Sequence, residues 1–170
     1  MTQKEFVKWV YPSAKNGEID PLFVTAQAAL ETGWGKSAIG NNLFGITKGS
    51  SWTGKTKLVT TTEYFDTASK KFKSPEFVLK IQKVSDNRYK YTVKRLFRDY
   101  EKLEECLADH LSVLKKSGYA DAWKYRNDGR TFVRKIMDTV GARYATDPDY
   151  AKKIISIMNT VERIVKEEKL

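Results

Sequence analysis

The chain has 170 residues, with 31 Lys and Arg against 21 Asp and Glu, and a formal net charge of +10 at pH 7. This length predicts one domain, 1–170, with its own hydrophobic core. A lone Cys106 and a lone His110 exclude an internal disulfide and a Cys/His zinc cluster. No apolar run is long enough to cross a bilayer and the first residues lack the apolar region of a signal peptide, so we expect any export signal to be absent from this chain.

The positive charge favours a polyanionic partner, which is nucleic acid, anionic lipid or an acidic cell-wall polymer. The lysines are scattered along the sequence, and it contains no helix-turn-helix, zinc-finger or aromatic RNA-binding pattern. We therefore expect no nucleic-acid partner. The alternative is that the excess lysine only aids solubility.

The first two predicted elements are helices. Residues 2–14 combine apolar side chains at helical spacing with a proline near the end, which predicts a short helix. A second helix is predicted to begin after Asp20, whose side chain can cap it, with Pro21 in the first turn. Gly33 can end this helix. Its apolar stripe consists of Leu22, Phe23, Ala26, Ala29 and Leu30.

From residue 46 to about residue 100 the pattern changes to β-branched, aromatic and partly alternating segments. Residues 60–65, 77–84 and 89–93 are predicted strands, and Asp86 with Asn87 predicts a turn between the last two. We therefore predict a small antiparallel β-lobe, about 46–100, inserted between helices.

Helices resume after the β-lobe. Leucines at 103, 107, 111 and 114 predict an apolar helix face, with a stop at residues 115–118. Cys106 and His110 lie beside this face, where we expect packing rather than chemistry. A short helical segment is predicted over 119–126, another helix from a cap at Asp128 to near Gly141, and a long helix from Asp147 onward. Helices on both sides of a β-lobe predict the α+β class.

Glu31 lies in the last turn of the second helix, which is otherwise apolar and rich in small residues. A carboxylate there feels the negative end of the helix dipole, and apolar neighbours withhold its hydration. Both effects raise a pKa, and a raised pKa suits a general acid. Glycines on both sides of Trp34 fit a saccharide cleft, which needs close backbone approach and aromatic platforms.

Two consecutive segments carry a family resemblance: Ala28-Ala29-Leu30-Glu31-Thr32-Gly33-Trp34-Gly35-Lys36-Ser37 and Asn41-Asn42-Leu43-Phe44-Gly45-Ile46. They resemble the catalytic motif of glycoside hydrolase family 73, the N-acetylglucosaminidase domains of bacterial autolysins and flagellar peptidoglycan hydrolases. The resemblance implies a lysozyme-like fold, mostly helical, with the β-lobe flanking an active-site cleft. It also implies endo-acting hydrolysis of the β-1,4 bond after N-acetylglucosamine in peptidoglycan, with Glu31 as general acid and no metal or organic cofactor.

Three weaker motifs extend the resemblance. Glu63 in Thr60-Thr61-Thr62-Glu63-Tyr64 is similar to a β-lobe glutamate that the family uses as a base or to position water; the alternative is a solvent-facing carboxylate. Tyr144 in the segment 143–150 is similar to a tyrosine that lines the family's active site, where a phenol can hydrogen-bond an acetamido group or water. In the same segment we assign Asp147 to helix capping rather than catalysis. The segment 97–100 resembles a connection out of the β-lobe, for which we expect a structural role.

Candidate substrate-binding residues are aromatic platforms and amide donors. For the tryptophans among them, the competing interpretation is that they close the hydrophobic core. The candidates are Trp34, Asn42, Phe44, Gly45, Trp52 and Trp123.

The expected partner is the glycan strand of peptidoglycan, and we expect a monomer in the cell envelope, either periplasmic or extracellular. Two alternatives stay open: a catalytically weak peptidoglycan-binding or assembly module, and a muramidase-type phage lysin. The stretch between Glu63 and Arg98 is longer than the family's usual β-hairpin, so this extension builds extra cleft wall or contacts a partner.

Overall fold

The computed structural model describes residues 1–115, 119–138, 144–145 and 147–170. Contacts divide the chain into two compact units. The helical unit consists of Met1–Phe44 and Glu101–Leu170, and the sheet unit is Gly45–Tyr100. The assignment of 1–170 to a single domain stays a prediction. Of the helix stop predicted at residues 115–118, the structure describes Lys115, whereas residues 116–118 and the stop predicted near Gly141 lie outside the described residues.

The described part of the helical unit contains six helices: α1 (Gln3–Ala14), α2 (Pro21–Thr32), α3 (Leu103–Leu114), α4 (Ala120–Trp123), α5 (Gly129–Asp138) and α6 (Tyr150–Glu168). None of these helices is long and apolar enough to cross a membrane. The predicted start of the last helix differs by a few residues: α6 begins at Tyr150, and Asp147 instead accepts the backbone N–H of Asp149 at 2.9 Å.

Local signals fix both ends of α2. The Asp20 carboxylate accepts the backbone N–H of Leu22 at 2.9 Å, Pro21 occupies the first position, and Gly33 ends the helix in the left-handed region. The other carboxylate oxygen of Asp20 accepts the N–H of Gly129 at 2.8 Å. One side chain therefore caps α2 and holds the start of α5 beside it.

The hydrophobic core of the helical unit surrounds α2. Phe23 and Phe132 meet edge to face with ring centroids 5.2 Å apart, and Ile154 and Met158 of α6 are fully buried in the same cluster. Eight of the twelve residues of α2 are buried. This burial explains why the helix is made of small residues, since its backbone lies close to its neighbours.

The buried side of α3 differs from the predicted one. Leu103 and Leu114 are buried as expected, but the positions between them that are buried are Cys106 and His110, while the leucines at 107 and 111 are only half-buried. The expected packing of Cys106 and His110 is therefore confirmed. His110 can occupy a core position because it has a buried hydrogen-bond partner, Gln27.

The sheet unit contains three antiparallel strands in the order β1-β3-β2: β1 (Thr56–Phe65), β2 (Phe77–Ser85) and β3 (Arg88–Arg98). The strands run longer than predicted, and residues 97–98 belong to β3 rather than to a connection. On one face of the sheet, the side chains of Tyr91, Val93 and Phe97 of β3 are buried. The connection between β1 and β2 is tied to this face, because the Tyr91 hydroxyl donates to the carbonyl of Thr67 and accepts the N–H of Lys70 at 3.3 Å.

Candidate active site

The end of α2 turns sharply, which places Glu31 beside a tight loop. Gly33, Trp34 and Gly35 have φ angles of 57°, 60° and 89°, so three successive residues lie in the left-handed region. The Thr32 hydroxyl holds this loop, since it donates to the carbonyl of Ala28 at 2.7 Å and accepts the N–H of Gly35 at 2.8 Å. Glycine is suited to two of these positions because it has no Cβ to clash with the backbone.

Glu31 is exposed to solvent at this helix end, although the residue that follows it, Thr32, and the three residues before Leu30 are buried. Protein atoms around the carboxylate still displace part of its hydration, and this desolvation raises the pKa of Glu31 above its ordinary value. The predicted direction of the pKa shift is therefore confirmed. A carboxyl group that is accessible and more basic than usual suits a general acid.

A buried polar network lies one helical turn before Glu31. Gln27 is 1% exposed, and its amide nitrogen donates to the Tyr150 hydroxyl at 2.8 Å. Its amide oxygen lies 2.6 Å from Nε2 of His110. Since that oxygen only accepts, Nε2 of His110 carries the proton in this pairing. Burial lowers the pKa of His110 to about 3, so the imidazole is neutral at physiological pH.

Tyr144 packs against this network. Its ring is tilted against that of Tyr150, with ring centroids 5.6 Å apart. Burial raises the pKa of Tyr144 to about 12, and the negative charge of Glu31 contributes in the same direction. The pKa of Tyr150 is also raised, first by burial and then by Tyr144. Both phenols therefore remain protonated, and Glu31 is near enough to influence them.

Glu63 lies in the sheet unit and is held by an ion pair. Its two carboxylate oxygens accept hydrogen bonds from Nη1 of Arg95 at 2.8 and 2.6 Å. Nε of the same guanidinium binds Glu76 at 2.6 Å. The three side chains are 19–29% exposed, so this triad is largely shielded. Glu63 points away from Tyr64, as strand alternation predicts, but its oxygens already have a cationic partner.

The substrate-binding candidates of the helical unit are partly or fully packed. Trp34 meets Phe6 edge to face at 5.8 Å, and Phe44 stacks on His110 with ring centroids 3.7 Å apart. Asn42 is buried at 1% exposure. Trp123 is half-buried, and the guanidinium of Arg126 lies 5.3 Å from its ring centroid. These contacts favour a core-closing role, and the substrate-binding role of each residue stays a prediction.

Gly45 and Trp52 are the candidates of the sheet unit. Gly45 is exposed with a φ of 60°. The indole N–H of Trp52 donates to the carbonyl of Lys55 at 2.9 Å, and its ring meets that of Tyr100 at 5.3 Å. The half-exposed indole keeps part of one surface open, so its role as a platform also stays a prediction.

Sequence reasoning missed two members of the buried network, Gln27 and Tyr150, and considered His110 only as packing. A signal for Gln27 was present: it is a polar residue within an apolar helix, four positions before Glu31 and therefore on the same helix face. A buried polar residue next to a candidate acid indicates a hydrogen-bond network.

Comparisons with known proteins agree with this geometry. The family described as Glucosaminidase, Mannosyl-glycoprotein endo-beta-N-acetylglucosaminidase, matches residues 7–163. The Peptidoglycan hydrolase FlgJ of Pseudomonas aeruginosa is 31% identical, over 93% of this chain and 36% of the relative. The Autolysin of Enterococcus faecalis is 29% identical, over 91% of this chain and 19% of the relative. The chain thus spans about a third of the first relative's length and a fifth of the second's.

Two solved structures share the fold. A peptidoglycan hydrolase mutant from Sphingomonas sp. A1 has a TM-score of 0.65 and 30% identity, covering 96% of this chain and 99% of that one. The glycoside hydrolase domain of Salmonella typhimurium FlgJ has a TM-score of 0.72 and 24% identity, covering 99% and 94%. The predicted α+β, lysozyme-like fold class and the family resemblance are therefore confirmed.

Proposed function

Because the chain belongs to the Glucosaminidase family, glycoside hydrolase family 73, we propose that it is an endo-β-N-acetylglucosaminidase of peptidoglycan. The bond cleaved is the β-1,4 bond that follows N-acetylglucosamine. The family description refers to a glycoprotein substrate, whereas the Pseudomonas aeruginosa relative is named for peptidoglycan. The net charge of +10 supports the second substrate, since peptidoglycan carries the carboxylates of its peptide stems.

The proposed general acid is Glu31. Hydrolysis of a glycosidic bond requires a proton on the leaving oxygen. One observation carries this assignment: an accessible carboxylate at the end of a buried helix has a pKa raised by desolvation. Protonated Glu31 donates to the leaving oxygen and becomes a carboxylate, which takes a proton back from water at the end of the cycle.

The group that handles the water stays open between Glu63, Tyr144 and the acetamido group of the substrate. A pKa of about 12 keeps Tyr144 protonated, so its proposed role is to orient the acetamido group or a water by hydrogen bonding. To act as a base, Glu63 would have to take a proton from water while its oxygens are bound to Arg95. These two observations support substrate assistance, with Tyr144 as the orienting group.

The site proposed for the chain needs neither a metal nor an organic cofactor. The Trp34, Trp52 and Trp123 side chains are proposed platforms for pyranose rings, and Gly45 a backbone donor to an N-acetyl group. The proposed location is the cell envelope, periplasmic or extracellular, where peptidoglycan lies, and the proposed state is a monomer.

The test digests purified peptidoglycan with the wild type, Glu31→Gln and the control Glu105→Gln, and analyses the products by mass spectrometry. We expect new reducing ends at N-acetylglucosamine from the wild type and the control, and a rate at least about 100-fold lower for Glu31→Gln. Reducing ends at N-acetylmuramic acid would contradict the bond assignment and indicate a muramidase. Wall binding without any reducing ends from the wild type would indicate a binding module.

A further inference from the structure

The net charge of the chain is concentrated in the sheet unit. Residues 45–100 contain 13 Lys and Arg against 5 Asp and Glu, a net charge of +8. The helical unit contains 18 against 16, a net charge of +2. The lysines are spread along the sequence, as predicted, but the acidic residues that would balance them are scarce in the sheet unit.

Strand register assigns three of these lysines to one face of the sheet. On β3, Lys90 and Lys94 alternate with the buried residues Tyr91 and Val93, so they lie on the opposite face. On β2, Lys80 pairs with Thr92, which lies between them on the same face. We call this surface the basic face. It consists of Leu58, Thr60, Thr62, Tyr64, Phe77, Lys80, Gln82, Lys90, Thr92, Lys94 and Leu96.

Glu63, the one acidic residue within the three strands, lies on the other face. Glu63 pairs in register with buried Tyr91, and it shares Arg95 with Glu76. The basic face itself contains no Asp or Glu. Lys80, Lys90 and Lys94 form no ion pair with any residue in the part of the chain that the structure describes. Their positive charge is therefore not neutralised within the sheet.

The spacing of the three lysines suits a linear partner with repeated negative charges. Lys90 and Lys94 are four residues apart on one strand, or roughly 13 Å, and the neighbouring strand with Lys80 lies roughly 5 Å away. Apolar side chains lie among these cations: Tyr64 is 49% exposed and Phe77 46%. The guanidinium of Arg88 lies 4.5 Å from the Tyr64 ring centroid and adds a fourth cation.

We propose that the basic face binds the carboxylate groups of peptidoglycan peptide stems and so anchors the protein to the wall. The proposal rests on the proposed function, because peptidoglycan is the anionic polymer that the function places beside the chain. The lysines attract the carboxylates, while exposed Tyr64 and Phe77 contact the non-polar parts of the stems.

The test measures pelleting with insoluble peptidoglycan, with Glu31→Gln as the background so that the wall is not digested. One variant, the sheet variant, carries Lys80→Gln, Lys90→Gln and Lys94→Gln. The matched control removes the same number of charges from the helical unit, by substituting Gln for Lys15, Lys152 and Lys166. Each protein is tested on native wall and on wall whose stem carboxylates have been converted to amides. Circular dichroism checks that both variants are folded.

We expect the sheet variant to bind native wall about tenfold more weakly, because three exposed charge contacts, each weak by itself, are lost together. The difference in wall affinity between the sheet variant and its Glu31→Gln parent should vanish on amidated wall and become smaller at high salt. Equal losses in the control, or an unchanged loss on amidated wall, would overturn the proposal. Tighter binding to a single-stranded DNA oligonucleotide than to native wall would overturn the choice of partner.

A separate assay keeps this result distinct from the proposed function. In the wild-type background, cleavage of soluble N-acetylglucosamine oligomers without peptide stems should be equal in the sheet variant and its parent. If the sheet variant and its parent both cleave these oligomers and bind the wall equally well, the proposed role of the basic face is refuted while the proposed function stands. Absence of cleavage by the wild type would refute the proposed function, whatever the binding result.

Discussion

The buried histidine predicts how stability depends on pH. His110 is neutral in the folded chain because burial lowers its pKa from 6.5 to about 3. Below pH 6.5 the imidazole of His110 is protonated in the unfolded chain but stays neutral in the folded chain. The free energy of unfolding therefore falls as the pH falls from 6.5 to about 3. The full shift corresponds to about 5 kcal/mol, of which about 2 kcal/mol is lost between pH 7.5 and pH 5.0.

The assay compares wild type with His110→Gln, whose amide can still donate to the oxygen of Gln27 but does not titrate. Chemical denaturation at pH 7.5 and pH 5.0 should show that the wild type loses about 2 kcal/mol more than the variant. Other titrating groups cancel in this comparison. Because the chain has a single histidine, its ring proton can also be followed by NMR. A ring proton that titrates near pH 6.5, with equal losses in both proteins, would refute the reasoning.

Three further variants test the network, the ion triad and the α2–α5 contact. Gln27→Leu removes the hydrogen bonds that Gln27 forms with His110 and Tyr150, so we expect a loss of about 1–3 kcal/mol in chemical denaturation. We also expect kcat to fall about tenfold with little change in KM, and an unchanged kcat would exclude a role of this network in catalysis. Arg95→Met should cost about 2 kcal/mol in the same assay, because Glu63 and Glu76 lose their cation, and equal stability would show that the triad contributes nothing. Gly129→Ala should lower stability by about 1–3 kcal/mol, since its Cβ would lie 2.8 Å from Cβ of Phe23. The control Gly17→Ala, whose Cβ meets only the Ala14 carbonyl at 3.4 Å, should have little effect; a similar loss there would contradict the packing argument.

The parts of the fold that the sequence predicts are those encoded by neighbouring residues. Asp20, Pro21 and Gly33 act within a turn of the residues they cap, and α2 begins and ends where they predict. The turn between β2 and β3 is also local, and Asn87 adopts a φ of 58° there. The full length of β3 was not predictable in this way, because pairing with β1 as far as Arg98 depends on a strand more than 30 residues away in sequence.

The candidate site likewise contains residues that a local motif predicts and partners that are distant in sequence. Glu31 and the loop after it form one continuous motif, so the sequence identifies them together. The partners of His110 and Glu63 are 83 and 32 residues away in sequence, and no local pattern indicates such hydrogen bonds. The buried side of α3 was shifted for this reason: His110 is acceptable in the core only because Gln27 is there to pair with it.

The central claim is that Glu31 donates a proton to the leaving oxygen, and changing the leaving group tests it most directly. Rates are measured for wild type and Glu31→Gln on an N-acetylglucosamine oligomer and on its 2,4-dinitrophenyl glycoside, whose leaving group departs without protonation. We predict that Glu31→Gln slows cleavage of the oligomer at least about 100-fold and that of the dinitrophenyl glycoside only a few-fold. Equal losses on the two substrates, or no loss on either, would contradict the assignment of Glu31 as the general acid.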